Sequence, residues 1–358
     1  MKTAVVILNW NTKGYLRSFL PALIRSLGED AEAVVADSAS TDGSMEMMAE
    51  VFPSVKTIPL GANYGFTGGY NRALSGLDAE YFVLINSDIL VDDHWLHPLV
   101  DWMDTHPECG ICGPKLHGLV KKDGKYMKTD SFEYAGAAGG YLDRFGFPFC
   151  RGRVLNRVCT DEGQYDSPSD VQWCTGACLM IRSSLWKELG GLDDRFFAHM
   201  EEIDLCWRAR LAGWKVNVVP QSTVWHLGGG TLSPKSPWKL ELNYRNNLLL
   251  LENNLAASYK AAGLPADRAG KKASRKIAFR VFLDNCTRMV YALTGRKDYA
   301  AAVTKAHEGW KQLRGESSGT GKLPVRGEAP LMPVNIIPNA LLRGEGIFRY
   351  LDKKVFRI

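Results

Sequence analysis

The chain has 358 residues, of which 46% are hydrophobic and 23% are charged, with a formal net charge of +5. This balance excludes a disordered or fibrous protein and is typical of a globular one, long enough for a full core and a smaller second unit. No apolar run approaches the roughly 20 residues that span a membrane, and the N-terminus lacks the pattern of a signal peptide. We therefore predict a cytoplasmic protein.

The first part of the chain alternates short apolar runs with segments of helical spacing. The predicted strands are residues 4–8, 31–36, 55–60 and 81–85, and the predicted helices are 15–27, 44–52, 68–77 and 94–106. Such alternation gives a parallel, doubly wound sheet, because each helix returns the chain to the same edge. The expected fold class is α/β with a mostly parallel, Rossmann-like sheet.

The remaining chain contains a polar region, a second α/β segment and a helical C-terminal region. Residues 117–170 are rich in glycine and polar side chains and predict long loops over a site. Further elements are predicted at residues 171–181, 183–189, 199–213 and 216–219, followed by helices at 238–262, 268–294 and 298–313. Residues 314–346, rich in Gly, Pro and Ser, are predicted to be irregular.

Charge divides the chain into two parts, which we predict to be two domains. Residues 235–358 contain 23 Lys and Arg against 10 Asp and Glu, whereas residues 1–234 contain 21 against 29. The basic part predicts an anionic partner, and no nucleic-acid-binding motif accompanies it. Basic and apolar residues interleave in one predicted helix, as in a helix lying on a membrane: Arg275, Lys276, Ile277, Phe279, Arg280, Phe282, Arg288, Met289 and Tyr291. A helix packed on the first domain, with a solvated basic face, is the alternative.

Polar side chains follow two predicted strands, at the edge where an α/β sheet binds ligands. Asp37 follows the second strand, and Asn86-Ser87-Asp88 follows the fourth. Asp37 can accept a hydrogen bond from a base or ribose, and Asp88 is a hard oxygen ligand for a divalent cation on a diphosphate. The structural alternatives are a capped strand-to-helix turn and a solvated strand end.

A glycine-rich stretch, residues 61–72, leads into the third predicted helix. It contains Asn63, Gly65 and Arg72, and its glycines would let backbone amides approach a diphosphate at a helix N-terminus. Because the stretch is not a G-x-G-x-x-G fingerprint, an ordinary loop is the alternative.

A second acidic cluster and a histidine lie much further along the chain. Glu201, Glu202 and Asp204 open a predicted helix, and His226 follows an apolar strand. A carboxylate here can remove a proton from an attacking hydroxyl. The helix dipole also favours acids in a first turn, and a lone histidine is commonly a core residue, so structural roles are the alternatives.

The motifs occur in a characteristic order along residues 3–252. The matching residues are 6–11, 37–44, 63–66, Gly68, Gly69, Asn71, 86–88, Trp173, Gly176, Ala177, Phe196, Phe197, Glu201, Glu202, Asp204, Leu205, Arg208, Gly213, Trp214, Pro220, His226, Gly229 and 244–246. Together they resemble the family 2 glycosyltransferases of GT-A fold, and within them the rhamnosyltransferase-like group. The resemblance implies a catalytic domain over residues 1–234, with a nucleotide-sugar half at about 1–115 and an acceptor half at about 116–234, and a helical extension over 235–358.

The resemblance also implies roles for individual residues. Asp37 would contact the pyrimidine or ribose, while Asp88, in a reduced form of the D-x-D motif, and His226 would bind Mg²⁺ or Mn²⁺. Glu202 would be the catalytic base of an inverting reaction; it stands where Asp is commoner, so Glu201 and Asp204 are alternatives. The donor-binding set would be Asn9, Asp37, Asn63, Gly65, Arg72, Asn86, Asp88, Trp173 and Gly176.

Substrates follow from the same resemblance. The expected donor is dTDP-rhamnose, with a UDP-sugar as the alternative, and the expected acceptor is a cell-surface polysaccharide or a lipid-linked glycan. The expected location is then the cytoplasm or the inner face of the plasma membrane, with a homo-oligomer compatible with the sequence.

Two other classes of protein compete with this interpretation. A sugar-phosphate nucleotidyltransferase would need a basic, glycine-rich triphosphate loop after the first strand, which residues 9–11 do not supply. A degenerate scaffold that binds a nucleotide sugar would fit the partial N-S-D motif, but the presence of Asp88, Glu202 and His226 opposes it.

Overall fold

The computed structural model describes residues 1–228, 236–316 and 325–356. The predicted alternation of strands and helices is confirmed in its first part. The elements are β1 (Thr3–Asn9), α1 (Lys13–Ser26), β2 (Ala31–Asp37), α2 (Ser44–Val51), β3 (Lys56–Pro59), α3 (Gly65–Ser75), β4 (Tyr81–Ile85), β5 (Ile89–Val91) and α4 (His97–Thr105). Strands β3, β2, β1 and β4 are neighbours in that order and run parallel, so their carboxyl ends share one edge.

The second part completes the sheet and adds a small one. Its elements are β6 (Cys109–Lys122), β7 (Lys125–Phe132), β8 (Gly140–Leu142), β9 (Pro148–Cys150), β10 (Arg153–Val154), β11 (Arg157–Val158), β12 (Ser169–Asp170), β13 (Cys178–Arg182), α5 (Ser183–Leu189), α6 (Glu201–Leu211) and β14 (Lys215–His226). Within the described residues the main sheet has ten strands, in the order β12-β14-β6-β13-β4-β1-β2-β3, with β5 paired to β14 and β7 to β6. Strand β13 is antiparallel to β4 and β6, whereas β14 and β6 are parallel, so the central sheet is mostly parallel as expected.

The prediction of long loops over residues 117–170 is wrong. Strands β6 and β7 form a long antiparallel hairpin, and β8 to β11 form a separate four-stranded sheet. The hairpin exposes Lys121, Lys122, Lys125 and Lys128 near its turn, and a strand with many charged residues resembles a loop in sequence because its apolar alternation is weak. Likewise, the predicted strand 216–219 is only the first part of β14.

In the described part of the C-terminal region, the three predicted helices are present, together with two further α-helices. They are α7 (Pro237–Ala261), α8 (Ala266–Leu293), α9 (Lys297–Leu313), α10 (Ile336–Arg343) and α11 (Ile347–Leu351). Helix α10 contradicts the prediction of an irregular segment over 314–346, of which residues 317–324 lie outside the described part. Gly229 and the predicted domain boundary at 234 also lie outside it. None of the described helices is both long enough and apolar enough to cross a bilayer.

The core consists of two apolar layers, one on each face of the main sheet. Along β1, Ala4 and Val6 enter one layer, while Val5 and Ile7 enter the other. A strand buried on both faces is typical of a parallel sheet covered by helices. Helix α7 joins the layer that contains Ala4 and Val6 through its buried leucines 248–251. Helix α7 is thus part of the same core as the sheet, whereas α10 and α11 pack in a separate apolar cluster with Phe149 and Val154.

Candidate active site

Asn9 and Asp37 meet at the carboxyl edge of the parallel strands. They are direct partners in the β1–β2 register, and both are buried. The Asn9 side-chain amide donates to Asp37 Oδ1 at 2.6 Å, and the backbone N–H of Ser40 donates to Asp37 Oδ2 at 2.9 Å. The two strand ends and their side chains therefore hold the Asp37 carboxylate in one orientation at the mouth of the sheet.

The glycine-rich stretch forms a cap at the start of α3. The N–H of Gly65 donates to Asn63 Oδ1 at 2.9 Å, and those of Phe66 and Thr67 donate to the carbonyl oxygen of Phe197 at 2.7 and 3.2 Å. These three amides are thus already bonded to protein acceptors, contrary to the expectation that they would approach a diphosphate. A Cβ at Gly65, whose φ is +70°, would lie 2.5 Å from the Phe197 oxygen, so this close approach requires glycine.

Arg72 lies one turn further along α3 with its side chain exposed. Its Nη1 donates to the carbonyl oxygen of Gly68 at 3.0 Å, and its guanidinium stacks 3.6 Å above the ring of Tyr64. We call residues 61–72 the donor loop. The stacked guanidinium lies at the outer rim of this loop, where it is accessible to an anionic ligand.

Asp88, His226 and Glu133 form a buried polar cluster at the same edge of the sheet. Asp88 follows β4, and His226 ends β14 at the residue that pairs with Ile89 of β5. Nε2 of His226 lies 3.2 Å from Asp88 Oδ1, and its Nδ1 lies 3.2 Å from Glu133 Oε1. Burial lowers the pKa of His226, but the two carboxylates outweigh it and raise this pKa to about 10. The cluster therefore stabilises positive charge.

The side chains of this cluster could supply only some of the ligands that a divalent cation needs. A carboxylate oxygen and an imidazole nitrogen are suitable ligands for Mn²⁺, and the carboxylate suits Mg²⁺. In the described ranges, no group of three or more His, Cys, Asp or Glu side chains is arranged to hold a metal ion by itself. Asp88 and His226 would thus supply some ligands, and oxygens of a bound diphosphate would have to complete the set.

The acidic cluster lies in the first turn of α6. Glu201 is buried, and Glu202 is partly exposed. Burial raises the pKa of Glu202 to about 7, although backbone N–H groups, including that of Gly176, lower it by donating to the carboxylate. Burial and the neighbouring Glu202 charge raise the pKa of Glu201 well above its usual value. Oε2 of each residue has no hydrogen-bond partner among the described residues.

Asp204 differs from the two glutamates because it is fully engaged in the core. Its carboxylate accepts from Arg208 at 2.7 Å, from Asn254 at 2.8 Å and from Asn253 at 3.0 Å. Arg208 in turn donates to the carbonyl oxygens of Leu189 and Gly191. Asp204 therefore joins α6 to α7 and to the end of α5, and it has no side-chain surface facing solvent.

The turn at residues 175–177 brings three parts of the candidate site together. A Cβ at Gly176 would lie 3.2 Å from the Phe66 ring and 3.4 Å from the Glu202 Cβ. The N–H of Asn86 donates to the carbonyl oxygen of Ala177 at 2.9 Å. The donor loop, the Asn86-Ser87-Asp88 segment and the Glu202 carboxylate are thus assembled around this turn. Trp173, just before it, is a core residue whose Nε1 donates to Tyr141 O at 3.1 Å.

A backbone segment of unusual conformation precedes the glutamates. Phe197, His199 and Met200 have φ values of 63°, 72° and 72°, and such residues cost about 1–3 kcal/mol each unless the surroundings hold them. The buried Asn246 of α7 provides that support. Its side-chain nitrogen lies 2.9, 2.8 and 2.7 Å from the carbonyl oxygens of Phe196, Ala198 and His199.

Two residues of the candidate site, Glu133 and Asn246, were not assigned a role from sequence. Glu133 lies in the segment predicted to be loops, and a single acid between Phe132 and Tyr134 carries no distinguishing signal. Asn246 belongs to a matching motif, but nothing in its spacing from Glu202 indicates that α7 returns to support the segment at 197–200. Both contacts arise from tertiary packing over long separations.

The model of glycosyl transferase family 2 matches residues 4–190. The chain belongs to this family and is a glycosyltransferase, as the resemblance implied. It is 28% identical over 233 residues to the N-acetylglucosaminyl-diphospho-decaprenol L-rhamnosyltransferase of Mycobacterium tuberculosis, covering 62% of this chain and 75% of the relative. It is also 25% identical over 169 residues to rhamnosyltransferase WbbL of Escherichia coli, covering 45% and 60%.

Solved structures show the same fold. GalNAc-T7 with UDP, GalNAc and Mn²⁺ superposes with a TM-score of 0.55 and 16% identity, covering 82% of this chain and 57% of that one. S. aureus TarS 1–349 in complex with UDP-GlcNAc gives a TM-score of 0.50 and 16% identity, covering 88% and 85%. The expected GT-A-type sheet with a helical C-terminal extension is therefore confirmed.

Proposed function

We propose that this glycosyltransferase moves L-rhamnose from dTDP-rhamnose to a hydroxyl group of a lipid-linked or cell-surface glycan, with inversion at the anomeric carbon. The observation that carries the proposal is the assembly of Phe66, Asn86 and Glu202 around the turn at residues 175–177. It brings a base near to a strand edge equipped for a nucleoside diphosphate. The names of the two rhamnosyltransferase relatives support rhamnose as the transferred sugar.

Glu202 acts as the base in this proposal. Its carboxylate is held by backbone N–H groups, and one oxygen, which is buried, has no protein partner among the described residues. This oxygen is proposed to accept the proton of the acceptor hydroxyl once the acceptor is bound. A carboxyl with a pKa of about 7 is half ionised near neutral pH, which suits a general base. The attacking oxygen then displaces the nucleoside diphosphate from the opposite side of the anomeric carbon.

Three residues are proposed to bind the nucleoside diphosphate, which is the leaving group: Asp37, Asp88 and His226. Asp37, oriented by Asn9, accepts hydrogen bonds from the nucleoside. Asp88 and His226 would hold a divalent cation, which supplies positive charge to the diphosphate as it departs. Two carboxylates, those of Asp88 and Glu133, face His226, and this acidic surrounding supports a preference for positive charge there. The presence of Mn²⁺ in the GalNAc-T7 structure supports a divalent cation for this chain as well.

The acceptor is proposed to be carried by a lipid. The Mycobacterium relative is named for a diphospho-decaprenol substrate, and the size of the match supports a similar class of acceptor here. Such an acceptor lies in a membrane, so the enzyme would work at the inner membrane surface from the cytoplasm, as a monomer or a homo-oligomer.

A donor panel tests the proposal. Purified full-length protein is incubated with Mg²⁺ or Mn²⁺, a diphospholipid-linked N-acetylglucosamine, and dTDP-rhamnose or one of several UDP- and GDP-sugars, and release of nucleoside diphosphate is measured. We expect release from dTDP-rhamnose alone, and its loss on chelation. Release from a UDP-sugar instead would show that dTDP-rhamnose is not the donor. Binding of a nucleotide sugar without any turnover would identify a scaffold.

The variant Asp88→Asn tests the role of the metal in the same assay. Because cation binding supplies several kcal/mol of charge stabilisation, turnover should fall by about 10³-fold or more. Asp92→Asn is the matched control, since Asp92 lies four residues away and is exposed and paired with Lys128. Activity of Asp88→Asn within a few-fold of the control would show that the cation is held elsewhere.

A further inference from the structure

Helix α8 exposes a row of apolar side chains along its C-terminal half. Members of the row are three or four residues apart, or adjacent, so they lie on one side of the helix. They are Phe279, Phe282, Cys286, Met289, Val290 and Leu293. The exposed fractions of Phe282, Met289 and Leu293 are 59%, 60% and 85%. Exposed apolar groups in such a row indicate an interaction surface.

The same side of the helix is basic in its N-terminal half. Arg268, Lys271, Lys272 and Arg275 are all exposed, and they continue the three- and four-residue spacing up to Phe279. We name the whole row, from Arg268 to Leu293, the α8 stripe. It contains four cations and no acidic residue.

The opposite side of α8 fixes the orientation of the stripe. Ala269, Ala273, Arg280 and Asp284 are buried there, and Arg280 Nε donates to Asp284 at 2.8 Å. Arg280 also donates to Asn247 of α7. Arg280 therefore faces inward, which corrects the expectation that it belongs to a basic outer surface. With this side held against α7, the stripe must face outward.

We infer that the α8 stripe is a docking surface for an anionic lipid bilayer. Both halves of the stripe have a partner there: the apolar side chains enter the boundary between headgroups and acyl chains, and the cations meet the anionic headgroups. A second copy of the stripe is a poorer partner. Parallel pairing would bring four cations against four, and antiparallel pairing would bury cations against apolar side chains without counter-charges.

The position of α8 also suits a membrane-borne acceptor, a point that rests on the proposed function. Helix α8 packs on α7 through Arg280 and Asn247, and Asn246, the preceding residue of α7, holds the segment before Glu202. The docking helix is thus separated from the candidate base by a single layer of helix. The stripe itself is independent of the identity of the sugar donor.

Vesicle co-sedimentation tests this inference with the full-length protein. The probes are phosphatidylcholine vesicles with and without about 30% phosphatidylglycerol, an anionic content at which basic residues contribute measurably. One variant reverses charge in the basic half (Lys271→Glu, Lys272→Glu and Arg275→Glu), and another removes apolar groups (Phe282→Ser, Met289→Ser and Leu293→Ser). The matched control replaces exposed apolar residues elsewhere (Val51→Ser, Val120→Ser and Met127→Ser). Thermal unfolding establishes that each variant is folded.

We expect the wild type and the control to bind anionic but not neutral vesicles, and each stripe variant to bind at least about tenfold more weakly. Equal binding of both vesicle types, or stripe variants that bind like the control, would overturn the inference. Light scattering that shows a dimer dissociated by the apolar variant, with vesicle binding unchanged, would instead assign the stripe to self-association. Turnover of a short-chain, water-soluble acceptor is measured in parallel; its absence in the wild type would contradict the proposed function without affecting the vesicle result.

Discussion

Three carboxylates lie within one turn of α6, and their surroundings separate their roles. The Asp204 carboxylate accepts hydrogen bonds from Arg208, Asn253 and Asn254, and it is part of the core. Glu201 is buried, and burial together with the neighbouring Glu202 charge raises its pKa well above its usual value. Glu202 is the acid that combines partial exposure, contact with Gly176 and a pKa of about 7. These differences favour Glu202 as the base.

Replacing Glu202 by Gln should lower turnover by about 10²–10⁴-fold, because that is the usual contribution of a positioned general base. Donor affinity should change little, since the shape of the side chain is retained. Turnover is measured by release of nucleoside diphosphate, and donor affinity by calorimetry. Glu201→Gln is the matched comparison; if it loses more activity than Glu202→Gln, the base has been assigned to the wrong residue.

The pH dependence of the wild type provides an independent test of Glu202. Burial raises its pKa to about 7, and a base acts only when it is deprotonated. The rate constant kcat/KM should therefore rise with pH through a midpoint near 7, and be lowest under acidic conditions. A profile that is flat between about pH 5.5 and 8 would exclude a base with this pKa.

At the scale of elements, helix α7 contacts residues 196–199, the segment that leads to α6. Asn246 holds three carbonyl groups of a backbone that includes positive φ values at Phe197 and His199. Those residues lie immediately before Glu202. Helix α7 is therefore expected to act on catalysis through the position of the base.

Replacing Asn246 by Ala should reduce kcat by about tenfold or more, since small displacements of a catalytic group have large effects on rate. The KM for the sugar donor should change much less, because Asn246 contacts the segment that leads to Glu202. Steady-state kinetics and thermal unfolding are measured together, with Asn243→Ala on the same helix as the control. An equal loss in the two variants, or a loss that simply follows the melting temperature, would indicate a role in stability alone.

The predictability of each element from sequence follows from how local its signal is. Strands β1, β2 and β4 are short apolar runs followed by polar groups, and this local pattern indicates both the strand and the edge where Asp37 and Asp88 lie. The hairpin β6–β7 is an edge with many lysines, so its pattern resembles a loop. The contacts of Glu133 with His226 and of Gly176 with Glu202 join distant segments, and no local pattern contains them.

At the scale of the whole molecule, the division of charge near residue 234 does not divide the core. The leucines at 248–251 of α7 are buried in the same apolar layer as Val6 and Leu84 of the sheet. The basic C-terminal region and the acidic N-terminal region are therefore expected to fold together.

A fragment ending at residue 228 should consequently fail to fold stably. Each buried leucine contributes about 1.5–3 kcal/mol, so deleting the four that α7 contributes to the core removes an amount comparable with the usual 5–15 kcal/mol of total stability. Thermal unfolding and light scattering of the fragment and the full chain provide the measurement. A soluble fragment with a cooperative transition close to that of the full chain would restore the division into two domains.

The carbonyl oxygen of Phe197 has a consequence for the order in which substrates add. It accepts hydrogen bonds from Phe66 and Thr67 at the start of α3, and its own residue lies in the segment that leads to Glu202. We therefore expect a nucleotide sugar bound at the candidate site to shift the segment before Glu202 through this contact, so that the base is positioned for the acceptor only once the donor is bound. We expect compulsory-order kinetics with the donor first, seen as competitive inhibition by nucleoside diphosphate against the donor and non-competitive inhibition against the acceptor.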